Sequence, residues 1–265
     1  MDDDYQVRRL VWDAEVPIMF ILEKEDFPTT SNDTYLMSLP RISYFPFYYK
    51  NICNFFSSFG EPMNELDIYL EHNSAPVRWY YPIGVIHDIL SNKNSIEPLQ
   101  IIIRKGSSPD DIIKYTPIEL EAIFMQSVKE ADHLKHKGKI SSRLTREESK
   151  KLITGISDNR FDQFWDIHSK LISSTPTMPI FHMPIRFYKS GTCFLQFLIK
   201  PNDKLSDLID IIYKDEARPN DLKFYCHGIL IPPSTTAKYL VNNLTYPDSF
   251  AHLVIYSEKG DDENL

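Results

Sequence analysis

The sequence predicts an α+β protein in which two copies of one β-rich unit flank a small helical bundle, with a short helix in front. Three observations carry that reading. An order of strand, strand, helix, strand, strand, helix, strand runs from Val16 to Lys105 and returns between Pro184 and Ser257. The stretch between the copies switches from alternating to helical apolar spacing. A composition of 42% hydrophobic and 25% charged residues belongs to a chain that folds, not to a disordered one.

Val7, Leu10 and Val11 fall at i, i+3 and i+4, which predicts a short helix within residues 1–15 with one narrow apolar edge. So short a helix is marginal alone, and its edge must rest on its own chain or on a partner. Val16–Glu23 and Tyr35–Pro40 read as strands separated by a turn-prone Pro-Thr-Thr-Ser-Asn-Asp cluster. Tyr48, Ile52, Phe55, Phe56 and Phe59 then mark a helical face, ended by Gly60 and Pro62. Leu66–Glu71 and Val77–Tyr81 read as strands, Pro82 opens a helix through Leu90, and Leu99–Lys105 closes the first copy.

In the second copy Pro184–Lys189 and Phe194–Lys200 bracket a Ser-Gly turn. Asp203 or Ser206 is the expected cap for a helix bearing Leu205, Leu208, Ile209 and Ile212. Lys223–His227, Ile229–Ile231, a helix over Thr236–Leu244 and His252–Ser257 complete it. This order is that of the ubiquitin-like β-grasp. The expected domains are the front helix (1–15), a first ubiquitin-like domain (16–106), a helix-rich domain (107–178), a second ubiquitin-like domain (179–258) and an acidic tail (259–265). Neither copy ends in the Gly-Gly tail that a ubiquitin-like modifier needs to thread its processing enzymes, so the chain is expected not to be attached to others.

The insert, roughly Thr116–Ser174, starts at a well-marked Thr-Pro-Ile-Glu capping box. Leu120, Phe124, Val128 (or Ser127), Ala131 and Leu134 form its buried stripe. Thr145-Arg-Glu-Glu is a second capping box with Gly155 as the stop, and Ser157 is read as the cap of a last helix bearing Phe161, Phe164, Trp165, His168, Leu171 and Ile172.

Composition excludes several functions. Only 8 glycines against 18 prolines argue against phosphate-cradling loops, and a net charge of −8 argues against nucleic acid as a partner. The three cysteines, Cys53, Cys193 and Cys226, are unpaired by motif, and no signal peptide or run of ~18 apolar residues is present. The expectation is a soluble cytoplasmic protein. Cys226 and His227 are adjacent on a strand, which predicts side chains on opposite faces that cannot pair. Cys53 reads as a small hydrophobe in a phenylalanine-rich helix. Glu130, His133 and His136 lack a second Glu-x-x-His and a fourth ligand, so neither a metal nor any other cofactor is expected. His168 reads as a hydrogen-bonded core histidine. With no nucleophile elbow, zinc-protease helix or dinucleotide loop, the chain is expected not to be an enzyme.

Spacing leaves Lys129 either a solvating flank lysine or an attacking amine. It lies about 100° around the helix from Val128, on the flank of the buried stripe, where its amine reaches solvent while its stem rests on apolar surface. The basic run that follows, with Lys135, Lys137, Lys139 and Arg143, reads as a solvated face and suggests contact with a membrane surface.

Seven colinear segments then resemble the autophagy protein 5 family. They are Leu39-Pro-Arg-Ile-Ser-Tyr44, Trp79-Tyr-Tyr-Pro-Ile-Gly84, Val128-Lys-Glu-Ala-Asp-His-Leu-Lys-His-Lys137, Asn159-Arg-Phe-Asp-Gln-Phe-Trp165, Pro184-Ile-Arg186, His227-Gly-Ile229 and Leu244-Thr-Tyr-Pro-Asp-Ser-Phe250. The resemblance implies two ubiquitin-like domains around a helical one. It implies that Lys129, in the Lys-Glu-Ala-Asp motif, accepts the ubiquitin-like modifier autophagy protein 12 through an isopeptide bond made by activating and conjugating enzymes. It further implies binding of coiled-coil autophagy protein 16, with Val7, Leu10 and Val11 helping to line the groove. The assembly then acts, ligase-like, in lipidating a second modifier with phosphatidylethanolamine at the preautophagosomal (phagophore) membrane. The alternative is a ubiquitin-like and helical membrane-cytoskeleton adaptor with no covalent adduct and a third lobe that is not ubiquitin-like. A cysteine-based deconjugating enzyme is a third reading.

Overall fold

The computed structural model describes residues 4–91, 96–109, 112–173, 175, 178–189, 191, 193–214 and 217–257. The acidic tail expected at 259–265 lies outside them. By backbone contacts the chain divides into two compact units, residues 14–123 and residues 1–13 joined with 124–265.

The first unit holds a five-stranded sheet of order β2-β1-β5-β3-β4, built from β1 (Glu15–Leu22), β2 (Thr34–Pro40), β3 (Ile68–His72), β4 (Ala75–Pro76) and β5 (Leu99–Lys105). Its central pair, β1 and β5, is parallel, with Phe20 opposite Ile101; the outer pairs are antiparallel. Along β1 burial alternates, with Val16, Ile18, Phe20 and Leu22 inward, as expected of a sheet with one dry face. Two helices accompany it, α2 (Tyr49–Ser57, after a 3-10 turn at Phe45–Tyr48) and α3 (Ile83–Leu90). The expected strand Val77–Tyr81 is instead a turn, in which Tyr81 N–H donates to the Arg78 carbonyl at 3.0 Å. Its β-prone aromatics are claimed by packing: Trp79 is buried, donates from Nε1 to the Ile113 carbonyl at 2.6 Å and meets Tyr115 edge-on.

The second unit repeats the topology. Its sheet runs β7-β6-β10-β8-β9, formed by β6 (Ile185–Tyr188), β7 (Phe194–Gln196), β8 (Lys223–Cys226), β9 (Ile229–Ile231) and β10 (Ala251–Tyr256), again with a parallel central pair, β6 and β10. Here every residue of β6, and all but the last of β10, is buried. Both faces of those strands are therefore covered. Helices α7 (Leu205–Ile212) and α8 (Ala237–Asn243) belong to this lobe. Neither Asp203 nor Ser206 caps α7. Lys204 holds the cap position, with its N–H donating to Asp207 at 3.1 Å, while Asp203 closes the preceding turn by accepting from Lys200 N–H.

The helical insert supplies α4 (Pro117–His136), α5 (Arg146–Ser157) and α6 (Phe161–Ile172). Thr145 and Glu148 form the expected capping box, and a hydrogen bond from Lys170 together with those from Thr145 holds the Glu148 carboxyl down at about 2. Gly155 does not stop α5. A Cβ there would come within 3.0 Å of Phe164, so the glycine lets α5 and α6 approach closely. The reversal falls at Asn159, which takes φ 52°, and Ser157 is the last residue of α5, not a cap of α6. The front helix α1 (Tyr5–Asp13) joins this second unit: Asp4 caps it, and Asp4 N–H reaches the Asn243 side chain at 2.8 Å. Trp12 packs against Phe161 and Phe164. Among the described residues no helix is long and apolar enough to cross a membrane.

Candidate functional site

Helix α4 carries Lys129 on the flank of a buried stripe. Leu120, Phe124, Val128 and Ala131 are buried, Val128 and Ala131 completely, and Lys129 is exposed beside them. Leu134, expected to finish the stripe, is only half-buried. The stripe ends instead on Asp132, Lys135 and His136, all at 1% exposure or less. Lys135 lies four residues beyond Ala131 and seven beyond Val128, so helical spacing already marked it. Its charge argued the other way.

Lys135 therefore does not belong to a solvated basic face, although Lys137, Lys139 and Arg143 do. Its amine has no hydrogen-bond partner among the described residues. Burial pushes it down to about 7, against the pull of the Asp132 and Asp248 carboxylates. Beside it, His168 is fully buried, stacks on Phe164 at 4.8 Å and lies 2.9 Å from the Ser249 hydroxyl, the hydrogen-bonded core histidine expected. Burial, reinforced by the Lys135 charge, holds it well below the usual imidazole value.

The end of α4 is fastened by polar groups. Burial would raise Asp132, but His136 at 2.9 Å and the Ser141 N–H at 2.7 Å outweigh it and keep the carboxyl low. His136 Nε2 lies 3.0 Å from the Ser173 carbonyl. Phe181 and His182 N–H donate to the Lys135 and Leu134 carbonyls at 2.9 and 3.2 Å, satisfying acceptors that a helix end leaves open. Of the residues weighed as metal ligands, His136 is thus engaged, His133 is exposed and Glu130 faces Arg186 at 3.0 Å. Among the described residues no group of three or more His, Cys, Asp or Glu could hold a metal ion.

Arg186 is the centre of a wider network. Its side chain is 6% exposed, lies between the Phe250 and Phe194 rings at 3.7 and 4.4 Å, and faces Glu130 and, at 3.7 Å, Asp248. Asp248 lies 2.9 Å from His252, whose other ring nitrogen lies 2.8 Å from the Tyr188 hydroxyl. Burial would raise Asp248, yet His252, Arg186 and the Phe250 N–H hold it low. Elsewhere in this lobe the expected separation of Cys226 and His227 fails: His227 takes φ 53°, which ends the strand alternation, and both side chains reach the Leu244 carbonyl. Cys53 is buried and its thiol is pushed up to about 11, as suits a hydrophobe; Cys193 is exposed.

A cavity of about 490 Å³ opens among α1, α6 and α8, lined by Tyr5, Arg8, Phe161, Trp165, Ile172 and Lys238 among others. Arg8 lies over the Trp165 ring at 4.7 Å. Val7, Leu10 and Val11 are placed apart: Val11 is buried, Val7 half-buried, Leu10 72% exposed, and none lines this cavity. Tyr5 and Arg8 stand outside the apolar edge that the helical spacing marks.

Twin β-grasp sheets with a helical bundle between them in sequence define a double ubiquitin-like protein. Three family profiles match the chain in order: autophagy protein ATG5, UblA domain, over residues 11–105; its alpha-helical bundle region over 119–174; and its UblB domain over 182–255. Autophagy-related protein 5 of Caenorhabditis elegans is 32% identical over 95% of this chain and 98% of its own length. Autophagy protein 5 of Drosophila melanogaster is 27% identical over 96% and 98%. The crystal structure of Kluyveromyces marxianus Atg5 superposes with a TM-score of 0.83 at 19% identity, over 95% of this chain and 99% of that one, and shares the fold. The chain belongs to the autophagy protein 5 family, and its role is in autophagy.

Proposed function

We propose that the chain is a non-enzymatic acceptor scaffold whose Lys129 takes the C-terminal glycine of autophagy protein 12. The observation that carries this is one residue wide: Val128 is sealed in the core while Lys129 beside it is open to solvent, on a helix fastened at its end by Asp132 and His136. The Lys129 Nζ attacks the thioester carbonyl held by a conjugating enzyme. The C–S bond breaks, the thiol leaves, the amine loses a proton, and an isopeptide bond forms. The activating and conjugating enzymes supply the chemistry; this chain supplies the amine.

The aromatic cavity among α1, α6 and α8 suits the apolar face of a helix, with Arg8 and Lys238 among its lining, and is the proposed seat of the coiled-coil autophagy protein 16. The loaded complex then promotes, ligase-like, lipidation of a second modifier by phosphatidylethanolamine, the chain being cytoplasmic and recruited to the phagophore membrane. The adaptor alternative needs a third lobe unlike ubiquitin, whereas the second sheet repeats the strand order of the first. On a denaturing gel of protein from its own cells, Lys129→Arg is expected to lose the whole band heavier by one small protein while keeping its melting temperature. An undiminished adduct in Lys129→Arg refutes the assignment.

A further inference from the structure

Three of the colinear segments meet in space, and the acceptor reading leaves their contact with one another unused. Glu130 follows Lys129 directly. Its two carboxylate oxygens are held separately, Oε2 by Arg186 Nη2 at 3.0 Å and Oε1 by Gln196 Nε2 at 3.2 Å. Arg186 comes from the inner strand β6 and Gln196 opposite it from the edge strand β7. Behind Arg186 stand Asp248 at 3.7 Å and the two phenyl faces, so its planar fork has little freedom to turn.

We infer that Arg186 and Gln196 are positioning residues for the acceptor lysine, acting through Glu130, in a role that rests on the acceptor reading above. Before Lys129 the helix buries Phe124 and Val128 in apolar packing, which is non-directional and tolerates small rotations, and directional contacts begin again only at Asp132. A carboxylate gripped at both oxygens is directional. It fixes the azimuth of the turn carrying Lys129, hence the point from which a long, flexible side chain reaches for the thioester. Arg186 lies too deep to touch an incoming enzyme, since its side chain is only 6% exposed. Its influence must pass through Glu130.

The test uses the full chain as acceptor and the modifier–conjugating-enzyme thioester as donor, with single-turnover rates measured against enzyme concentration. Hydrogen exchange of residues 126–132 is followed in parallel. Glu130→Ala is expected to lower the maximal rate about 10-fold with an unchanged half-saturating concentration, and to speed exchange locally. Glu130→Gln keeps one oxygen to accept from Arg186 Nη2 and offers its amide N–H to the Gln196 amide oxygen once that amide turns over, and is expected to restore much of the rate. Gln196→Ala removes one arm at the sheet edge and gives an intermediate loss, which keeps the test sound if Glu130→Ala folds poorly. Faster exchange with an unchanged rate overturns the proposal, as does unchanged exchange. A raised half-saturating concentration with an unchanged maximum makes these docking contacts and also overturns it. An unsubstituted chain that forms no adduct at Lys129 sinks the acceptor reading and this role together; failure of the clamp alone leaves the unsubstituted chain reacting normally.

Discussion

The two ubiquitin-like lobes share a strand order but differ in where their buried charge goes. In the first, Arg41 and Asp88 pair in the interior, and Arg41 also donates to the Gly84 carbonyl at 3.2 Å, so the pair ties a turn to α3 of the same lobe. In the second, Arg186 and Asp248 face outward from the sheet to Glu130 and toward Lys135 on α4. The alternating burial of β1 and the unbroken burial of β6 express the same difference. One sheet closes on itself; the other is completed by the bundle. Similar topology thus serves two ends, and the polar contacts reaching Glu130 and Lys135 tie α4 to the second lobe.

Paired substitutions break or sharpen this contrast. Asp88→Ala strips the carboxylate from buried Arg41 and is expected to cost roughly 3–5 kcal/mol in urea unfolding, and Asp248→Ala less, about 2 kcal/mol, because Arg186 keeps Glu130. Only Asp248→Ala should also speed hydrogen exchange in α4; equal effects on α4 would erase the distinction. Because the Asp248 carboxyl is held low, its contribution is complete above the ordinary carboxylate value of ~4 and fades as pH falls through its folded value.

Next in size is Lys135→Met, expected to stabilise the protein by roughly 1–4 kcal/mol near pH 6. Burial lowers this amine to about 7. Below that value both folded and unfolded chains carry the proton, and the cost of burying it is complete. Between there and the ordinary lysine value of ~10.4 only the unfolded chain binds it, so stability of the unsubstituted protein rises with pH. The gain from methionine should therefore shrink between pH 7 and pH 10, and a constant gain would contradict the burial of a charge. Smallest is Thr145→Ala, which removes the α5 cap at a cost of about 1 kcal/mol by thermal unfolding, without change in α4 exchange.

Much of the fold was legible because alternation and helical spacing are local. Leu99–Lys105 and Ile229–Ile231 fall where their apolar patterns place them. What misled were residues whose packing overrides local preference: Trp79 and Tyr81 read as strand but serve a core, and Gly155 read as a stop but makes room for Phe164. Lys129 was placed on a flank by counting from Val128, and it is exposed there. The grip on Glu130 was not legible, because its partners lie 56 and 66 positions away and no periodicity links them. Lys135 falls on the spacing of Val128 and Ala131, yet as one of a basic run it reads as solvated.

The dry strands of the carboxy-terminal sheet have a consequence for how the molecule is made. Cut out at 182–255, that lobe would present Arg186 and Ser249 to water with Glu130 and His168 missing. Synthesis avoids the difficulty, since α4 to α6 leave the ribosome first and domains fold as they emerge. This lobe then meets a bundle translated before it.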